Sequence, residues 1–118
     1  MMNNLLHATL LYDFYGELLT QKQKLIFEMY YQNDLSFAEI AAEQAISRQA
    51  VCDQLKRTEK ILLDYEKKLR LIERFLEQKN LVAKMKAYIE DLENKLDLNE
   101  NLKIEFKKIK TIADTILK

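Results

Sequence analysis

Apolar residues recur three and four positions apart along most of this chain, the spacing that gathers them on one face of an α-helix. The first such run, Leu5, Leu6, Thr9, Leu10, Phe14 and Leu18, predicts a helix capped by Asn3 or Asn4. Gly16, near its end, either loosens the last turn or marks a packing contact. Thr20 and Gln23 then form a capping box ahead of Leu25, Ile26, Met29 and Tyr30, and the turn dipeptide Asn33-Asp34 should end that helix. Ser36 with Glu39 is a second box, and Ser47 is a third hydroxyl start. Starts this closely spaced imply short helices crossing at steep angles.

After Ser47 nothing in the sequence stops the helix for a long way. Leu55, Leu62, Tyr65, Leu69, Ile72 and Leu76 keep an apolar stripe, and from Leu62 its spacing is a seven-residue repeat. The stripe predicts one long helix, broken at Glu77 to Asn80. Two further amphipathic runs follow: Leu81, Met85, Tyr88, Leu92, Leu96, and then Leu102, Phe106, Ile109, Ala113, Ile116. The polar stretch Asp97 to Asn101 separates them, although with no Gly or Pro at either junction continuous helix is also compatible with the sequence.

Composition narrows the fold class to all-α. Of 118 residues one is Gly and none is Pro, charged residues make up 32%, and no sustained period-two alternation of β-branched residues occurs. The length suits a single structural domain. Residues 1–62 should hold an N-terminal helix and a helix-turn-helix, with the motif at 20–62. Residues 63–118 should supply amphipathic helices for packing or dimerisation within the same domain.

A helix-turn-helix needs a small residue where its two helices approach and apolar residues bridging them. Ala41 is the small residue, Ile40 and Ile46 flank the turn, and Val51 and Leu55 line the inner face of the second helix. With Val51 and Leu55 inward, helical spacing turns Gln49, Cys52, Asp53, Lys56, Arg57 and Lys60 outward, with Arg48 at the N-terminal end. Arg can take guanine and Gln adenine through paired hydrogen bonds, while Lys56 and Lys60 suit phosphates; Asp53 would repel them. Ala45 occupies the turn position where Gly is usual, and a left-handed conformation there costs about 1 kcal/mol relative to Gly. Gln44 stands where an apolar residue is common.

The segments Leu35-Ser36-x-x-Glu39-Ile40-Ala41 and Ile46-Ser47-x-x-x-Val51-x-x-x-Leu55-x-Arg57 resemble region four of bacterial sigma factors. Together with Leu-Tyr-Asp-Phe-Tyr-Gly-x-Leu-Leu-Thr at 11–20, Thr-Gln-Lys-Gln-Lys at 20–24, Ser-Arg-Gln-Ala-Val at 47–51 and Lys-Arg-Thr-Glu-Lys at 56–60, they make the chain similar to the YlxM family of small Gram-positive bacterial proteins. The resemblance implies a regulatory helix-turn-helix protein with DNA as a partner. It also implies a part in the signal recognition particle pathway, where the partners would be particle protein or RNA.

Charge keeps a second reading open. The chain carries 19 basic and 19 acidic residues, and residues 1–46 are distinctly acidic. Between 20 and 63, Lys22, Lys24, Arg48, Lys56, Arg57 and Lys60 are matched by Glu28, Asp34, Glu39, Glu43, Asp53 and Glu59. A module without net charge exerts no general pull on a polyanion. The same fold could therefore serve as an adaptor that binds a protein or a ribonucleoprotein without reading DNA.

Other chemistry has little support. His7 is the single histidine and lacks triad or metal neighbours, Cys52 has no second cysteine, and one Gly cannot build a phosphate loop. No enzyme activity, metal or cofactor is expected. Tyr12, Phe14, Tyr15, Phe27, Tyr30, Tyr31 and Phe37 sit at helical spacing without interleaved basic residues, which favours core packing over base stacking. Lys103, Lys107, Lys108 and Lys110 read as a solvated helix face. The apolar stripes after Leu62 exceed what a small helical module can cover, so a homodimer through these helices is expected. Without a signal-peptide pattern or a membrane-spanning run, the expected compartment is the cytoplasm and no membrane insertion is expected.

Overall fold

The computed structural model describes residues 5–118, and the expected caps Asn3 and Asn4 lie outside them. The helices are α1 (Leu5–Tyr15), α2 (Gln21–Tyr31), α3 (Phe37–Gln44), α4 (Arg48–Leu69), α5 (Leu71–Lys95) and α6 (Glu100–Leu117), with a 3-10 turn at Gly16–Leu18. No strand occurs among the described residues. The fold is all-α, and its contacts divide it into two compact units, one ending at Ile72 and the other spanning Glu73–Lys118.

The starts of α2, α3 and α4 each have the cap that the sequence announces. The Thr20 hydroxyl accepts from the Gln23 amide at 3.2 Å while the Gln23 side chain accepts from the Thr20 amide at 2.9 Å. Ser36 and Glu39 repeat the arrangement, both bonds at 3.1 Å. α2 ends through Asp34, at φ 57°, and α3 through Ala45, at φ 53°. The Ala45 and Ile46 amides both donate to the Ala41 carbonyl, so the left-handed residue closes the helix end and redirects the chain into Ser47.

Two apolar clusters fill the unit, and α4 contributes to both. Ile26, Ile40, Val51 and Leu55 form one, with Met29, Tyr30, Leu35, Phe37, Ala41 and Ile46 around it. Ala8, Leu11, Tyr15, Leu19, Phe27, Leu62 and Ile72 form the other. The first-helix stripe is thus corrected: Leu5, Leu6 and Leu18 are exposed, and α1 buries Ala8, Leu11 and Tyr15 instead. Two adjacent apolar stripes coexist on this helix, and only the one carrying small Ala8 lets α1 approach its neighbours closely. Gly16 is a packing contact, because a Cβ there would stand 3.2 Å from the Tyr12 ring. The aromatic residues pack as expected, Tyr12 stacking on Phe27 and Tyr30 on Phe37 at centroid distances of 5.0 and 5.2 Å.

The helix after Ser47 does not run to Leu76. It stops at Leu69, Arg70 turns left-handed at φ 56°, and α5 then passes unbroken through Glu77 to Asn80, where the break was expected. No Gly, Pro or Asn marks this stop. Its cause lies in α1: the Tyr15 hydroxyl donates to Glu66 Oε1 at 2.5 Å and accepts from the Leu71 amide at 3.2 Å. Glu66 Oε1 also accepts from the Ile72 amide at 3.0 Å. Two side chains therefore satisfy the opening amides of α5, and Ile72 drops into the core.

In the second unit α5 and α6 run antiparallel, as the pairs Lys86–Asp114 and Lys110–Glu93 require, at 2.5 and 2.8 Å. The hydrogen bond to Asp114 raises the Lys86 pKa. Asn99 caps α6 by accepting from the Leu102 amide at 2.9 Å. Among its buried and half-buried residues are Val82, Lys86, Ile89 and Glu93 from α5 and Phe106, Lys110, Ala113 and Leu117 from α6. Leu81, Met85, Tyr88, Leu92 and Leu96, the stripe expected to pack, are all exposed, as are Leu102, Ile109 and Ile116 of α6.

Three measurements test this account. Ala45→Gly should raise unfolding stability by about 1 kcal/mol in chemical denaturation, because the left-handed position no longer carries a Cβ. Tyr15→Phe should cost about 2 kcal/mol and speed hydrogen exchange at the Leu71 amide, since it removes a bond to a carboxylate and one from an α5 amide. Burial, the first cause in each case, and hydrogen bonds to Glu28 and Glu66 raise the pKa of Tyr12 and Tyr15 above the ordinary tyrosine value. The unfolded chain then loses these protons first, so stability is full below about pH 10 and falls above it. Denaturation midpoints across that range should fall less steeply in Tyr12→Phe.

Candidate nucleic-acid interface

α4 is held by its inner face, and that fixes what its outer face presents. Val51 and Leu55 have no exposed surface and lie against Ile26 and Ile40. Ala41 and Ile46, the other two bridging residues, are half-buried beside them. The Ser47 hydroxyl accepts from the Ala50 amide at 3.0 Å and sets the first turn. Gln44 meets the core through a contact of its amide nitrogen with Met29 Sδ at 3.9 Å, which accounts for a polar residue at that position.

Of the residues expected on the outer face, Arg48, Gln49, Asp53, Lys56, Arg57 and Lys60 are exposed. Gln49, Asp53, Lys56 and Lys60 form its outermost line, each three or four residues from the next. Cys52 is the correction. It is half-buried, because Leu55 three residues on and Glu59 seven residues on share its side of the helix and are both buried. Gln49 is not free to face a ligand with both amide hydrogens, since its Nε2 donates to Asp53 Oδ1 at 3.0 Å.

Where Glu59 and Glu66 of α4 place their carboxylates is not legible in the sequence. Glu59 is buried and accepts from the Tyr31 hydroxyl; Glu66 takes the Tyr15 hydroxyl, and on α2 Glu28 takes the Tyr12 hydroxyl. These pairs join residues 28, 51 and 16 positions apart, so spacing along the chain does not reveal them. Arg48, Lys56, Arg57 and Lys60 meanwhile form no ion pair among the described residues, whereas Lys24, Lys86, Lys95, Lys103, Lys108 and Lys110 all do. Charge that balances in the sequence is thus sorted in space: between Arg48 and Lys60 the outward line of α4 is mostly basic, interrupted by Asp53 and followed by the exposed Asp64. The exposed acids Glu39 and Glu43 belong to α3.

A helix capped and locked in this way, next to a short helix joined by a left-handed turn, is a helix-turn-helix. The family model "Putative helix-turn-helix protein, YlxM / p13 like" (UPF0122) matches residues 2–100. The chain belongs to the YlxM/p13-like family. It is 50% identical over 93 residues to UPF0122 proteins of Bacillus cereus (strain AH187), Bacillus anthracis (strain A0248) and Bacillus thuringiensis subsp. konkukian (strain 97-27). Each alignment covers 79% of this chain and 82% of the relative. The YlxM-like family is described by its helix-turn-helix. Among the described residues, no helix of this YlxM-like chain is long and apolar enough to cross a membrane.

Ser47→Ala removes the hydroxyl that caps α4. It should lower stability by about 1 kcal/mol in denaturant titration and increase amide exchange in the first turn, which carries Arg48 and Gln49.

Proposed function

We propose that this chain is a cytoplasmic regulatory protein that binds duplex DNA by laying the N-terminal half of α4 in the major groove. Arg48 and Gln49 stand at the end of the helix that reaches base edges in this geometry, and Lys56, Arg57 and Lys60 hold phosphates. The observation that carries the reading is the sorting of charge on α4: among the described residues Arg48, Lys56, Arg57 and Lys60 are exposed and form no ion pair, while Glu59 and Glu66 are bound by tyrosines and leave Asp53 and Asp64 as its exposed acids.

A second reading is favoured by Asp53, whose carboxylate lies in the middle of the exposed line and opposes phosphate. In it the same face docks on a protein or ribonucleoprotein, and the YlxM-like membership supports components of the signal recognition particle as the partner.

Fluorescence anisotropy with a pool of genomic duplexes separates the two. DNA binding predicts an affinity that falls steeply with salt, and Lys56→Ala with Arg57→Ala should lower the magnitude of the log–log salt slope by about 2. Asp53→Asn should tighten binding, because it removes the repelling charge. No complex at low salt, together with recovery of particle protein or RNA from the native host, would defeat the DNA reading in favour of the second.

A further inference from the structure

The helix-turn-helix leaves the exposed apolar stripe of α5 unused. Leu81, Met85, Tyr88 and Leu92 are 59%, 59%, 73% and 48% exposed, at successive spacings of four, three and four. That is the spacing of positions whose side chains interlock with a facing helix. The stripe is not the seam that meets α6. Lys86 and Glu93 hold that seam through Asp114 and Lys110, and each lies one residue, about 100° around the helix, from Met85 or Leu92.

The charges beside the stripe select what covers it. Lys84 and Asp91 flank it on the same side, one seven-residue repeat apart and opposite in sign, and both are exposed. If a second α5 lies antiparallel, Leu81 meets Leu92 of the second copy and Met85 meets Tyr88 of the second copy. In that register Lys84 faces Asp91 of the second copy, and the two-fold axis repeats the pair. Self-complementarity of this kind is what an isologous dimer requires, and a foreign helix would not call for it. The bond of Asp91 to Lys95 at 2.9 Å is an exposed pair within one helix and can be shared or exchanged.

We infer that two copies of this chain associate through α5 in antiparallel register about an axis near Lys86 and Ala87. The association is independent of nucleic-acid binding, so its test contains none. Sedimentation equilibrium of the full chain with Cys52 kept reduced should give twice the 14.1 kDa of one copy. Met85→Glu should leave a monomer with unchanged helical circular dichroism. Lys84→Asp alone and Asp91→Lys alone should each weaken the dimer about tenfold. Their equimolar mixture, and the double variant, should return to the native constant, because only antiparallel pairing restores opposite charges in both. A native monomer at high concentration would overturn the inference, including one whose α5 face takes up a helix of another protein. A dimer indifferent to Met85→Glu, or weakened by the single reversals and not rescued, would overturn it equally. Should Met85→Glu lose helicity, the charge-reversal set decides alone.

Discussion

Burial of one face of α4 is the constraint on which the helix-turn-helix depends. Val51 and Leu55 close the cluster with Ile26 and Ile40, and Leu62, two turns further along, closes the cluster that holds α1. Fully burying a side chain of this size is worth about 1.5–3 kcal/mol, so α4 cannot rotate about its axis without losing both clusters together. The orientation of Gln49, Asp53, Lys56 and Lys60 follows from that. The exposed face is defined by what the opposite face gives up to the core.

Tyrosine hydroxyls settle the charge left over by this packing. A carboxylate on a half-buried helix face is costly unless it is hydrogen-bonded, and Glu28, Glu59 and Glu66 each accept from the hydroxyl of a tyrosine on an earlier helix. Among the described residues no buried side-chain nitrogen or oxygen lacks a partner. Tyr15 also takes part in backbone geometry, since its hydroxyl and Glu66 stand in for a cap at the start of α5. The contacts that hold α1 against α4 are thus the ones that end α4 at Arg70.

Local signals were legible wherever the physics is local. Thr20, Ser36 and Ser47 bond amides three residues away, and Asp34 and Ala45 adopt the turn conformations that their places in the sequence suggest. The helix-turn-helix core was legible too, because a left-handed turn between two capped helices leaves few faces on which Ile40, Val51 and Leu55 could meet. The helix end at Arg70 was not, because its stabilising partner is Tyr15. The buried side of α1 was not either, since Leu5, Leu6 and Leu18 compete with Ala8, Leu11 and Tyr15 on hydrophobicity alone and lose on shape.

The sequence by itself determined an all-α chain, its early helix starts, the motif at residues 20–62 and the family to which it belongs, because periodicity, capping and turn chemistry act over a few residues. Only the tertiary structure decided which of two adjacent apolar stripes each helix buries, where α4 stops, and which charges on α4 remain in solvent. Those outcomes rest on pairings between residues far apart in the chain, such as Tyr15 with Glu66 and Tyr31 with Glu59. Periodicity locates an apolar face, but the partner that covers it, and the hydroxyl that binds the carboxylate beside it, are set by packing.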